Sequence, residues 1–433
     1  MLNILANRTY RHLFLAQIIA LIGTGLATVA LGLLAYDLAG PDAGTVLGTA
    51  LAIKMLAYIG VAPIAAAFAE QLPRRTMLVT LDLIRAAVAA ALPFVTQTWE
   101  IYLLIFVLQS ASAAFTPTFQ ATIPDVLPNE DDYTNALSLS RLAYDLENVF
   151  SPMLAAALLS VISFHALFSG TAIGFFLSAI LVISVVLPKG KMPERRGIYD
   201  RTTRGIRIYL NTPRLRGLLA LNFAVAAASA MVIVNTVVLV QSQFGLKQTA
   251  TALALAAFGG GSMIAALALP KLLKNVPDRE AMFAGASILA TGMVIGAFLP
   301  SYLLLLPLWA LLGFGYSLTQ TPSGRLLRRS AHAENRPALF AAQFMLSHAC
   351  WLVTYPVAGW LAAKTNMPLT FIVLGLLAGI ALFVAYKVWP KDDPSEVEHD
   401  HDDLPDSHDH LTNRARRHAH PYVIDDIHRR WPH

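Results

Sequence analysis

Long apolar runs broken by short clusters of charge set the pattern of this chain. Residues 12–36, 101–124, 217–246, 248–270, 337–363 and 365–386 carry no charged side chain. Each run is long enough for one membrane helix, which needs about 20 apolar residues. The runs 148–188 and 281–324 have room for two apiece, the second divided near Pro300. With the spans that carry isolated charges, the pattern predicts helices near 11–37, 45–69, 76–97, 100–123, 136–162, 166–188, 216–240, 248–271, 280–299, 302–324, 337–362 and 366–389. That makes twelve.

Composition agrees with the pattern. Hydrophobic residues are 56% of the 433 and charged residues 14%, and the mean hydropathy is +0.56. A water-soluble globule could not hide so much apolar surface, so the chain reads as an all-α membrane protein. Cys350, the single cysteine, excludes an intramolecular disulfide framework and a cysteine-cluster metal site. Arg8 and Arg11 precede the first span with no convincing cleavage site, so that span is expected to be retained.

Charge then orients the spans. With the N-terminus inside, inward loops and ends hold 28 Lys+Arg, against Lys247 and Lys364 outside. Both termini are therefore expected to be cytoplasmic, and the basic loops serve topology and not nucleic acid. The longest internal loop, 189–215, separates an N-terminal six-helix half (1–188) from a C-terminal one (216–389). Pro73-Arg74-Arg75 after the second span and Pro277-Asp278-Arg279 after the eighth share a Pro-x-Arg, as duplication would leave.

Ionisable residues inside spans are costly and usually face protein or water. Asp82 and Arg85 stand at i, i+3, and Arg141 and Asp145 at i, i+4, so each pair can satisfy itself. Lys54 and Glu147 have no such local partner. Glu147 is the candidate carboxylate that alternates between proton and substrate, and a structural ion pair with Lys54 is the competing reading. Asp82, Arg85, Asp145 and Lys54 join it as candidate transport residues. His348, near Cys350 and Met345 in the eleventh span, can serve as a ligand or as an interhelical hydrogen-bonding group.

Residues 390–433 are different material, with 6 Lys+Arg, 11 Asp+Glu and eight of the twelve histidines. So few apolar residues predict a disordered tail. His399, His401, His408, His410, His418 and His420 form three His-x-His pairs. With no cysteine beside them, they suit nickel, cobalt or zinc better than copper(I).

The stretch Ala66-Ala67-Phe68-Ala69-Glu70-Gln71-Leu72-Pro73-Arg74-Arg75 resembles the loop signature of the major facilitator superfamily, keeping its acid and its two final arginines. With Phe115-Thr116-Pro117, Thr122-Ile123-Pro124-Asp125 and the reduced Ser151-Pro152, it is similar to the drug–proton antiporter branch that holds macrolide and siderophore exporters. The resemblance implies two six-helix halves, alternating access, and a gating loop of Glu70, Arg74, Arg75 and Asp125, the alternative being arginines that only enforce topology. A facilitator body with a His-rich tail, together with Leu139-Ser140-Arg141-Leu142-Ala143-Tyr144-Asp145, resembles bacterial nickel-resistance permeases. That likeness implies an inner-membrane exporter of nickel or cobalt, with protons as the expected drive and no permanently bound cofactor; the sequence leaves the oligomeric state open, a monomer being the expectation. The alternatives are export of an organic drug or siderophore by the same fold, or a metal sensor that moves nothing. No phosphate-binding loop and no catalytic constellation points to an ATP motor or an enzyme.

Overall fold

The computed structural model describes residues 1–39, 43–69, 72–188, 197–393, 396–400, 417–428 and 430–432. Within them run fourteen helices, beginning with α1 (Arg8–Ala39), α2 (Ala43–Ala69), α3 (Arg74–Ala91), α4 (Thr98–Val126), α5 (Glu130–Leu159) and α6 (Phe164–Ile183). The chain continues as α7 (Ile198–Asn211), α8 (Pro213–Val237), α9 (Gln248–Leu272), α10 (Asp278–Gly296), α11 (Tyr302–Gln320), α12 (Ser323–Arg329), α13 (Arg336–Lys364) and α14 (Met367–Val388). Ten of them are long and apolar enough to cross a membrane. The other two long members of the bundle are more polar: α5 carries Arg141, Asp145 and Glu147, and α10 opens on Asp278-Arg279-Glu280. Together these give the twelve-helix bundle, with large apolar side chains such as Phe176, Ile180, Leu376 and Phe383 exposed on its flanks.

Local chemistry explains where the helices begin. Gln97 and Glu100 form a reciprocal capping box at α4, the Glu100 carboxylate accepting from the amides of Thr96 and Gln97 at 2.8 and 2.9 Å. The Asn129 side chain accepts from the Asp132 amide at α5, and Asn366 does the same for Leu369 at α14. Glu130, Asp131 and Asp132 crowd the first turn of α5, where the positive end of the helix dipole favours them.

The packing repeats. In the first six long helices α1 lies on α5 and α6, α3 on α4 and α6, and α2 on α4. In the second six, α8 lies on α13 and α14, α10 on α11 and α14, and α9 on α11. The two sets meet through α2 against α13 and α5 against α9, which exchange with each other under the same repeat. Close approach is bought with glycine: a Cβ on Gly313 would run into the Phe258 carbonyl oxygen, and one on Gly261 into that of Ala310.

Two regions depart from the pattern expected of the sequence. The inter-half segment is not wholly a linker, because α7 buries Gly205, Ile208 and Tyr209 against α13 and the core beside it. The tail is not without order in its described part. Strand β1 (Val397–Asp400) pairs antiparallel with β2 (Arg417–His420), His399 facing His418. Tyr422 and Ile424 then insert among Leu215, Leu218, Leu327 and Trp389. These two apolar side chains give the tail a core to join, which its acidic composition conceals.

Helix contact at Gly313 is testable. Gly313→Ala should lower the unfolding temperature of the purified protein, an overpacking cost of about 1–3 kcal/mol. Gly379→Ala, inside α14 where a Cβ meets nothing within 4 Å, should not lower it and should gain about 0.4–1 kcal/mol from lost chain freedom in the unfolded state.

Candidate functional site

Four helices, α1, α2, α5 and α13, bring the interior groups together. Glu147 lies about 25 Å along α5 at a rise of ~1.5 Å per residue, near the middle of the helix. There α1 comes so close that a Cβ on Gly25 would collide with Ser151 and stand 3.3 Å from Glu147 Oε1. Lys54 stands on α2 one turn before Tyr58. Among the described residues no ion pair within 4.0 Å joins Lys54 to Glu147. Lys54 instead sits 5.5 Å from the centre of the Tyr58 ring. That ring meets His348 edge-on at 4.7 Å and Phe344 at 4.8 Å, linking α2 of one half to α13 of the other. Tyr144 and Gln17 stand beside them, the latter accepting from Ser140 Oγ at 3.1 Å. Among the described residues, Tyr58, Tyr144, Phe344 and His348 thus gather near Glu147 and Lys54.

The remaining predicted charges divide by role. Asp82 and Arg85 pair within the N-terminal half; Ser178 Oγ donates to Asp82 at 2.8 Å, and the guanidinium lies 4.0 Å from the Phe115 ring centre. They weld α3, α4 and α6. Arg141 pairs with Asp145 as its spacing predicts, but the pair reaches across the halves. Ser262 Oγ of α9 donates to Asp145 at 2.6 Å, and Arg141 lies 4.5 Å from the Tyr316 ring centre on α11. His348 turns Nδ1 onto the Phe344 carbonyl at 2.7 Å, and the Cys350 thiol bonds back to Leu346, so these two do not converge on a common ligand point.

At the face where α1 begins and α14 ends, the halves are fastened by charge. Asp125, closing α4, pairs with Arg74 and, across the halves, with Arg336 at 2.6 Å. Arg325 reaches Glu130 at 2.6 Å and Thr134 at 2.7 Å, Tyr133 donates to the Gly324 carbonyl at 3.3 Å, and Lys274 lies 3.5 Å from Asp131. Of the expected gating residues, Arg74 and Asp125 are joined, Arg75 takes no part in that pair, and Glu70 lies outside the described residues. Arg336 is the member the sequence reading missed. Its signal was a lone arginine heading the eleventh span opposite the acid that ends the fourth.

The tail docks on the same face. His399, His418 and His420 bring ligand nitrogens within 4.8 Å of one another; His401, His408 and His410 lie outside the described residues. Asp425 lies 3.5 Å from His332, and this carboxylate hydrogen bond raises the His332 pKa above its ordinary value.

The family model of the Major Facilitator Superfamily matches residues 13–283 and 218–418. The chain belongs to that superfamily, and it is a multi-pass membrane transporter of that type, a class that takes small-molecule substrates through the bilayer. The multidrug efflux pump Tap of Mycolicibacterium fortuitum is 25% identical over 365 residues, 78% of this chain and 88% of that one. Macrolide efflux protein A of Enterococcus faecalis is 26% identical over 153 residues, 33% of this chain and 47% of its own. Among solved structures, the human organic anion transporter MFSD10 (TETRAN) superposes with a TM-score of 0.76 at 13% identity, covering 87% of this chain and 99% of that one.

The charged face makes a prediction. Asp125→Asn removes the acid between Arg74 and Arg336, so the halves should part there. Spin labels at Asp131→Cys and Lys274→Cys in a Cys350→Ser background should report it. The short-distance population should fall about tenfold relative to the open one, the equivalent of ~1.4 kcal/mol. An unchanged distribution would mean that the pair fastens nothing.

Proposed function

We propose that this protein exports a small amphiphilic organic compound across the bacterial inner membrane, with both termini cytoplasmic. Substrate binds between the halves, which rock about it in alternating access. The observation that carries this reading is the Glu147 carboxylate, set against Gly25 within walls of Tyr58, Tyr144 and Phe344 from both halves. Aromatic faces accept flat apolar bodies and attract cationic centres. A carboxylate in such surroundings holds either a proton or a basic group, so entry of one displaces the other. Proton antiport follows from that exclusion, and a single chain suffices for it. The efflux relatives, whose names specify drugs and macrolides, support the organic substrate.

A second reading has nickel or cobalt as cargo, and the three-histidine cluster on the terminal face favours it. The two are separated in cells stripped of their own exporters. Under the first reading, cells making this protein accumulate less ethidium and less macrolide than empty cells, and Glu147→Gln abolishes the difference. Equal accumulation in all three, with faster loss of preloaded radioactive nickel, would replace the first reading by the second.

A further inference from the structure

The ordered tail contains a site with its own architecture. In strand β2, His418 and His420 stand at i, i+2 and share one face. The ribbon register sets His399 opposite His418, and its ring lies 4.6 Å from that of His420 and 4.9 Å from that of His428. Carbonyl and carboxylate oxygens only accept hydrogen bonds. His399 Nδ1 therefore donates to the Val397 carbonyl at 2.9 Å, and His428 Nδ1 to Asp425 at 3.0 Å. In neutral rings both Nε2 atoms then carry lone pairs, and they lie 3.1 Å apart. Two nitrogens about 2.0–2.1 Å from one tetrahedral ion would be roughly 3.3 Å apart. The oxygens behind the two rings are the partners that orient histidine ligands of a metal.

The residues behind the cluster lead to the fastened face. Asp425 touches His332 at 3.5 Å, in the loop before α13. Its neighbour Asp426 pairs at 3.2 Å with Arg204 of α7, whose Nε donates to Asn335 Oδ1 at 2.8 Å. Asn335 is the residue that precedes the first turn of α13, and the next residue is Arg336, which holds Asp125 of the other half. Arg214 closes the arrangement from below, donating to the Tyr422 carbonyl at 3.3 Å.

We propose that His399, His418, His420 and His428 bind one borderline divalent ion of the zinc, nickel or cobalt class, and that its binding holds the terminal face closed. The four imidazoles offer nitrogen only, which suits these ions. An ion that gathers β1, β2 and His428 stabilises the docked ribbon, and through Asp425, Asp426 and Arg204 it stabilises the start of α13 where the halves are joined. By linkage, the closed state binds the ion more tightly than the open one. The ion is thus a regulator of the transporter, whatever its cargo. Only the conformational half of this inference rests on alternating access; the site itself does not.

The test uses the full-length protein in lipid nanodiscs, stripped of metal and titrated calorimetrically with zinc, nickel or cobalt chloride. One ion per chain is expected to bind. Asp425→Asn, which keeps all four ligands, should weaken binding about 10–100-fold, and His418→Ala/His420→Ala should abolish it. Binding that survives the double substitution, or that is lost instead in His401→Ala/His408→Ala/His410→Ala, would overturn the site. The spin-labelled pair at positions 131 and 274 supplies the second arm. Saturating metal should raise the short-distance population in the otherwise unaltered chain and leave it unmoved in His418→Ala/His420→Ala. A distribution indifferent to metal in both would overturn the regulation while leaving the site and the transport reading intact.

Discussion

One acid at the membrane edge governs the arrangement of this molecule. Asp125 ends α4 between Arg74 of its own half and Arg336 of the other, with the three side chains largely withdrawn from water. A carboxylate so placed is favourable only while its cations stay. The two halves are therefore held by an interaction that is strong when made and costly when half made, which suits a two-state switch better than a permanent joint. Around it the Arg325–Glu130 and Lys274–Asp131 pairs are more exposed and contribute less each. They add orientation to a closure that Asp125 anchors.

Closure on this face gives the interior groups their meaning. Glu147 and Lys54 lie on different helices of one half, while Phe344 and His348 come from the other. Any relative rotation of the halves changes what the carboxylate faces. The Arg141–Asp145 pair behaves differently, for it carries its own counter-charge and adds Ser262 across the interface. It joins the halves without needing a further charge, whereas in the function proposed above Glu147, without a counter-ion at bonding distance among the described residues, is the group left to a proton or a substrate.

The spans were legible because lipid forbids unpaired backbone groups and forces long apolar helices. The pairing of Asp82 with Arg85 and of Arg141 with Asp145 was legible from helical spacing alone. Partners from the other half were not, since Ser262 and Tyr316 lie more than a hundred residues from Arg141 and no local period links them. Helix α7 was hidden by its charge, although its buried positions 204–205, 208–209 and 212 keep a four-residue step. In the tail, the run Pro421-Tyr422-Val423-Ile424 carried the signal for order, and the histidines and acids around it outweighed it. Which small molecule the interior takes is not written in any single motif, because aromatic walls with one carboxylate admit a class and not a compound.

The central claim is that Glu147 exchanges a proton for substrate. It is tested most directly in proteoliposomes without an imposed gradient, by following internal pH as ethidium is driven across by its own concentration difference. Counter-movement of protons should appear with the unaltered protein and vanish with Glu147→Gln, while ethidium still binds. Undiminished proton movement in Glu147→Gln, or none in either protein despite ethidium transport, would contradict the account.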